Sequence, residues 1–124
     1  MKVHRFLSVA LFAFITPVVA VDLYTPGLPA SPDQNLACRI VNVTLVPQLV
    51  SSQALDSKGA VVAGMIDQTL APGESGGFSV EGRGGAMYCR FRVNGPAIGF
   101  RTSIEVFVTI DGQNFRIVAA LPGR

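Results

Sequence analysis

The stretch "GFRTSIEVFVTIDGQNFRIVAAL", residues 99–121, decides the fold. Ile98, Phe100, Thr102, Ile104, Val106, Val108 and Ile110 fall on one parity, and Arg101, Ser103, Glu105, Phe107 and Thr109 on the other. Side chains of a strand point to alternate faces, so this period of two predicts one buried and one mostly wet face. Asp111-Gly112 is a preferred pair for a two-residue type I′ hairpin, whose central residues need positive φ. That turn predicts Ile110 opposite Gln113, Val108 opposite Phe115, Val106 opposite Ile117 and Ile104 opposite Ala119. All but the first of these pairs are wholly apolar, so turn and pattern select the same register.

Working outward, the same alternation predicts strands at Ala37 to Val46, Leu49 to Leu55, Ala60 to Ile66, Gly76 to Glu81 and Met87 to Val93. They are separated by turn signals such as "DSKG", "APGES" and "GRGG". About seven short strands with no helical period predict an all-β domain, an antiparallel β-sandwich, with a small β-barrel as the alternative. Residues 21–35, "VDLYTPGLPASPDQN", carry prolines at 26, 29 and 32 and few large apolar side chains. This composition predicts a flexible, extended tether ahead of a sandwich spanning 36–124.

Residues 1–20 have Lys2, His4 and Arg5 ahead of an apolar run and end on Val18 and Ala20. That layout is a secretory signal peptide, and its apolar run is too short for a bilayer-spanning helix. No membrane anchor is expected after its removal, and the destination is the periplasm or the medium. The cut takes Lys2 and Arg5 from the ten Lys and Arg, leaving eight against the eight Asp and Glu. A chain without excess positive charge makes no case for nucleic acid.

The cut also removes His4, the single histidine. Cys38 and Cys89, the two cysteines, lie in predicted strands of an exported chain and are expected to pair. A nucleophilic Cys or a Ser-His-Asp triad needs an imidazole base, and lone-Cys copper or zinc sites also recruit imidazoles. No metal or other cofactor is therefore expected, and Met65 and Met87 read as core fillers. The carboxylates are scattered through turns and wet faces, so a hydrolase using two of them is the remote alternative. Asn42-Val43-Thr44 fits a glycosylation acceptor but falls mid-strand in this reading.

A non-catalytic module with a structural or interaction role, toward an unidentified protein or glycan partner, is thus the leading expectation, and a binder of an anionic glycan is the alternative. Met87, Cys89, Phe91 and Val93 share the inward parity of their strand, which turns Tyr88, Arg90 and Arg92 outward. Arg101 and Arg116 also take outward parity, with Phe107 opposite Arg116. If those strands adjoin in one sheet, Tyr88, Arg90, Arg92, Arg101, Phe107 and Arg116 form one arginine and aromatic face suited to an anionic glycan or acidic surface component.

Through "CRIVNVT", "LAPGES" and "YCRFRV", residues 36–124 resemble a loose group of short, secreted bacterial proteins. The resemblance implies a β-sandwich and carries over no catalytic residue. Two distant cysteines also make the chain weakly similar to immunoglobulin-type sandwiches. It departs from them in having no tryptophan and in placing Tyr88 immediately before Cys89.

Overall fold

Alternation of inward and outward side chains builds two antiparallel sheets that bury their apolar faces against each other. The computed structural model describes residues 20–111 and 114–123. In chain order the strands are β1 (Val21–Tyr24), β2 (Leu28–Pro29), β3 (Asn35–Asn42), β4 (Gln48–Asp56), β5 (Val61–Leu70), β6 (Ser75–Glu81), β7 (Ala86–Val93), β8 (Phe100–Asp111) and β9 (Asn114–Pro122). One sheet runs β1-β7-β4-β5, with β2 also on β7, and the other runs β6-β3-β8-β9. The sheets do not close into a barrel, so the sandwich holds. The signal peptide reading lies outside the described residues, among which no helix is long and apolar enough to cross a membrane.

The core is the sum of the inward parities. Leu36, Cys38 and Ile40 of β3, Met87, Cys89, Phe91 and Val93 of β7, and Ile104 and Val106 of β8 are buried in one cluster. Removing a fully buried Phe or Leu from water is worth about 1.5–3 kcal/mol, so this interdigitation drives the two sheets together. β3 and β7 are interior strands of their sheets, and the Cys38–Cys89 disulfide ties them with Cα atoms 5.7 Å apart.

Residues 21–35 correct the expectation of a tether. β1 pairs along β7 from Val21↔Val93 to Tyr24↔Arg90, and β2 continues the pairing at Leu28↔Met87. Between them Thr25 keeps the ladder whole: its amide donates to the Cys89 carbonyl at 3.0 Å and its hydroxyl accepts from the Cys89 amide at 2.9 Å. Leu23, Leu28 and Ala30 are buried in the core, and Pro29 sits at an edge, where no ladder donor is needed. The segment has few large apolar residues, but nearly all of them face inward.

The C-terminal hairpin forms, but in another register. Asp111 pairs with Asn114, Val108 with Arg116, Phe107 with Ile117, Val106 with Ala119 and Ile104 with Leu121, with irregularities between Val106 and Phe107 and between Thr109 and Asp111. The residues between the strands are thus Gly112 and Gln113, one step beyond the expected pair, and lie outside the described residues. The parity of β8 is borne out through Val106. Beyond it the hairpin outruns the opposing sheet, and Val108 and Ile110, expected inside, are part-buried and exposed.

The β3 ladder stops at Asn42, short of the expected Val46, because the Asn42 side chain takes over the bonding. Its Nδ2 donates to the carbonyls of Val46 and Leu70, each at 2.9 Å, and its Oδ1 accepts from the Thr44 amide at 2.9 Å and hydroxyl at 2.6 Å. Asn42 is fully buried, which gives the Asn-Val-Thr sequence a structural use. At the edge opposite β9, β5 meets β6: the Gly77 amide donates to Gln68 Oε1 at 2.9 Å.

Candidate functional site

The outer face of the first sheet gathers a cluster of polar and aromatic side chains. Alternation turns Asp22 and Tyr24 of β1, Tyr88, Arg90 and Arg92 of β7, and Ser51 and Gln53 of β4 away from the core. Register then sets them side by side: Tyr24 and Gln53 flank Arg90, and Asp22 and Ser51 flank Arg92. The Tyr24 and Tyr88 rings lie 6.2 Å apart, tilted by 48°.

The two guanidinium groups are held differently. Arg92 Nε donates to Asp22 Oδ1 at 2.9 Å, a charge-assisted pair. Its hydrogen bond holds the Asp22 carboxyl below the usual range and raises the arginine. Arg90 donates through Nε, at 2.8 Å, and through Nη2 to Gln53 Oε1, a neutral acceptor, and so lacks the directly bonded carboxylate that Arg92 has. Ser51 donates to Asp67 Oδ1 at 2.5 Å, which draws that carboxylate from β5 toward β4. Between these groups lies a niche of about 40 Å³ lined by Ser51, Gln53, Arg90 and Arg92.

The six-residue arginine and aromatic face expected from parity does not form. Tyr88, Arg90 and Arg92 lie on β7, whereas Arg101, Phe107 and Arg116 lie on β8 and β9 of the other sheet. Arg101 folds onto its own chain, donating at 2.9 Å to the carbonyls of Ile98 and Phe100. Arg116 stands opposite Val108, on the strand face away from Phe107. Parity is a property of one strand, and only tertiary pairing decides which outward faces are shared. Tyr24, Asp22 and Gln53 were absent from the expected site because the first two lay in the supposed tether. The alternation of Val21, Leu23 and Thr25 with Asp22 and Tyr24 was the signal that could have found them.

On the other sheet Phe107 packs edge-on against Phe115 with centroids 5.6 Å apart. Phe115 is 56% exposed, Ile117 50% and Val118 48%, and Ile110 on the neighbouring strand is 65% exposed. Phe115 and Ile117 share the Phe107 face of the β8–β9 hairpin, whereas Val118 and Ile110 take the other parity. Arg39 Nε meets Glu105 Oε2 at 3.2 Å nearer the centre of the same sheet.

Two larger clefts open elsewhere. One of about 320 Å³ follows β6, lined by Arg39, Gln68, Ser75, Gly77 and Ser79 among others, and one of about 370 Å³ lies against Leu23, Ile98 and Phe100. Neither cleft, nor the niche, is lined by a carboxylate. Among the described residues no three His, Cys, Asp or Glu side chains gather in a group able to hold a metal ion.

No protein-family model and no curated protein matches the chain. Among solved structures it is similar to the crystal structure of Thermotoga maritima 1070, with a TM-score of 0.55 at 10% identity over 83% of this chain and 91% of that one. At that identity the likeness shows the fold alone.

Proposed function

We propose that this protein is an exported, non-catalytic β-sandwich module that contacts a protein partner through its C-terminal hairpin. The observation that carries the reading is the exposed apolar surface of Phe115 and Ile117, which share the outward face of the β8–β9 hairpin with Phe107. Isolated surface apolar residues are ordinary, but a contiguous group marks an interaction site. The disulfide fits an oxidising compartment, which supports export. Clefts lined by arginine, hydroxyl, amide and apolar groups, with no carboxylate or imidazole among the described lining residues, support a role in binding over one in hydrolysis.

The test is site-specific photo-crosslinking in cells that export the protein. A photoreactive residue at Phe115 or Ile117 should yield one discrete adduct, and the same residue at Arg39 should not. Equal or absent crosslinking at the two sets of positions overturns the reading.

A further inference from the structure

We infer that the outer face of the β1-β7-β4 strands is a binding site for an acidic sugar, with Arg90 and Arg92 receiving the anionic group and Tyr24 and Tyr88 supporting the ring. This proposal stands apart from the hairpin reading, because it concerns the opposite sheet and different chemistry.

Charge complementarity is the first argument. The niche between Arg90 and Arg92 is completed by Ser51 and Gln53 and contains no carboxylate in its lining. Asp22 engages Arg92 from the β1 side and feels Arg90 only at longer range, and Asp67 is bonded to Ser51, so no carboxylate among the described residues is hydrogen-bonded to Arg90. Arg90 spends two of its donors on the uncharged Gln53, which fixes the guanidinium plane while leaving its charge for a ligand. A planar guanidinium held in place suits a carboxylate or sulfate, because both offer paired acceptor oxygens. At about 40 Å³ the niche admits one such group and not a second ring.

The second argument is the ring platform. Tyr24 is 46% exposed and its ring lies 6.2 Å from that of the half-buried Tyr88, so an exposed phenol ring is backed by a second one. Tyr88 and Arg90 are two residues apart on one strand face, a separation of about 7 Å. A pyranose resting on the tyrosines thereby presents a substituent, or the next sugar's acid group, to the niche. Aromatic faces bury the apolar side of a sugar while the phenol hydroxyls remain available to its rim. Rigid strands hold all of these groups, so little side-chain ordering is needed on binding.

Carboxylate and sulfate share this chemistry, and the test separates them. The purified, disulfide-bonded protein is run by native affinity electrophoresis in gels containing polygalacturonate, dextran sulfate or neutral dextran. Retardation by polygalacturonate identifies a carboxylate ligand and retardation by dextran sulfate alone a sulfate ligand, with neutral dextran inert in both cases. Arg90→Gln with Arg92→Gln should weaken the retardation by about tenfold, as expected for lost hydrogen bonds to a charged group. Tyr24→Ala, which changes no charge, should weaken it by about fivefold. Arg39→Gln, a charge removed from the other sheet, should leave it unchanged. Unchanged thermal melting of each variant confirms that the fold is retained, and Tyr24→Thr, which keeps strand propensity without the ring, serves if Tyr24→Ala melts early. Free migration in both anionic gels overturns the proposal. So does equal weakening by Arg39→Gln, or full binding by both Tyr24 variants, since either would reduce the effect to unspecific attraction between charges.

Discussion

Replacing Asn42 tests how the loop between β3 and β4 is held. Its amide supplies a donor to the buried Leu70 carbonyl and another to Val46, and accepts two bonds from Thr44. In Asn42→Ala the Leu70 carbonyl loses this donor in a place water reaches poorly, at about 1–3 kcal/mol. The Val46 and Thr44 groups are nearer solvent and rehydrate, so each of those bonds adds no more than about 0.5–1 kcal/mol. The sum is about 3 kcal/mol, or a melting temperature lower by roughly 15 °C for a domain of this size. Asn42→Asp keeps the shape and the acceptor but removes both donors and aims a carboxylate at two carbonyls. Burial disfavours the charged form, so the folded-state pKa of that new carboxyl lies above its unfolded value. The penalty is then complete above the folded-state pKa and fades as the pH falls toward the unfolded value, about 3.9. Urea denaturation with the disulfide intact, at pH 7 and pH 4, measures both effects. A loss below about 1 kcal/mol for Asn42→Ala, or an Asn42→Asp variant whose deficit is the same at both pH values, would refute the assignment of Asn42 as the latch.

Three further outcomes are expected. Reducing Cys38–Cys89, which closes a separation of 51 residues, should cost about 4 kcal/mol in the chain-entropy account, seen as a lower urea midpoint in dithiothreitol. Gly77 has φ +135°, and a Cβ there would lie 1.8 Å from the Cys38 carbonyl oxygen. Gly77→Ala should therefore lose at least about 2 kcal/mol, against about 1 kcal/mol for Gly73→Ala, whose Cβ would meet open space at φ +79°. The Asp22 carboxyl is held below its ordinary 3.8 by the Arg92 hydrogen bond. A depressed folded-state pKa contributes stability that is present above the unfolded value and lost as the pH falls through the folded one. The small deficit of Arg92→Gln should thus be visible at neutral pH and vanish in acid below pH 3.8, in parallel thermal melts of the two proteins.

The sandwich was legible in the residues because parity is local. Cys89, Phe91 and Val93 alternate with Arg90 and Arg92, and that alone turns the cysteine inward whatever the neighbouring strands are. The cysteine pair followed from there being no other partner, and the hairpin from the alternation of residues 98–110 leading into a turn signal at Asp111-Gly112. Composition misled at residues 21–35, where proline density outweighed the alternation of Leu23 with Asp22 and Tyr24. A strand that fills an edge needs only its inward residues to be apolar.

Register, sheet membership and overhang belong to the tertiary structure. A hairpin register off by one moves Arg116 from beside Phe107 to the face of Val108, and no feature of the turn signalled the irregularities that cause it. Which outward faces adjoin depends on long-range pairing: β7 chose β1 and β4, which joined Tyr24 and Gln53 to Arg90 and left Arg101 and Phe107 behind the sandwich. The sequence by itself thus determined which side of each strand is buried, since a period of two is a covalent property of extended chain. The tertiary structure alone decided which exposed side chains meet, because that depends on the order in which strands find their hydrogen-bonding edges.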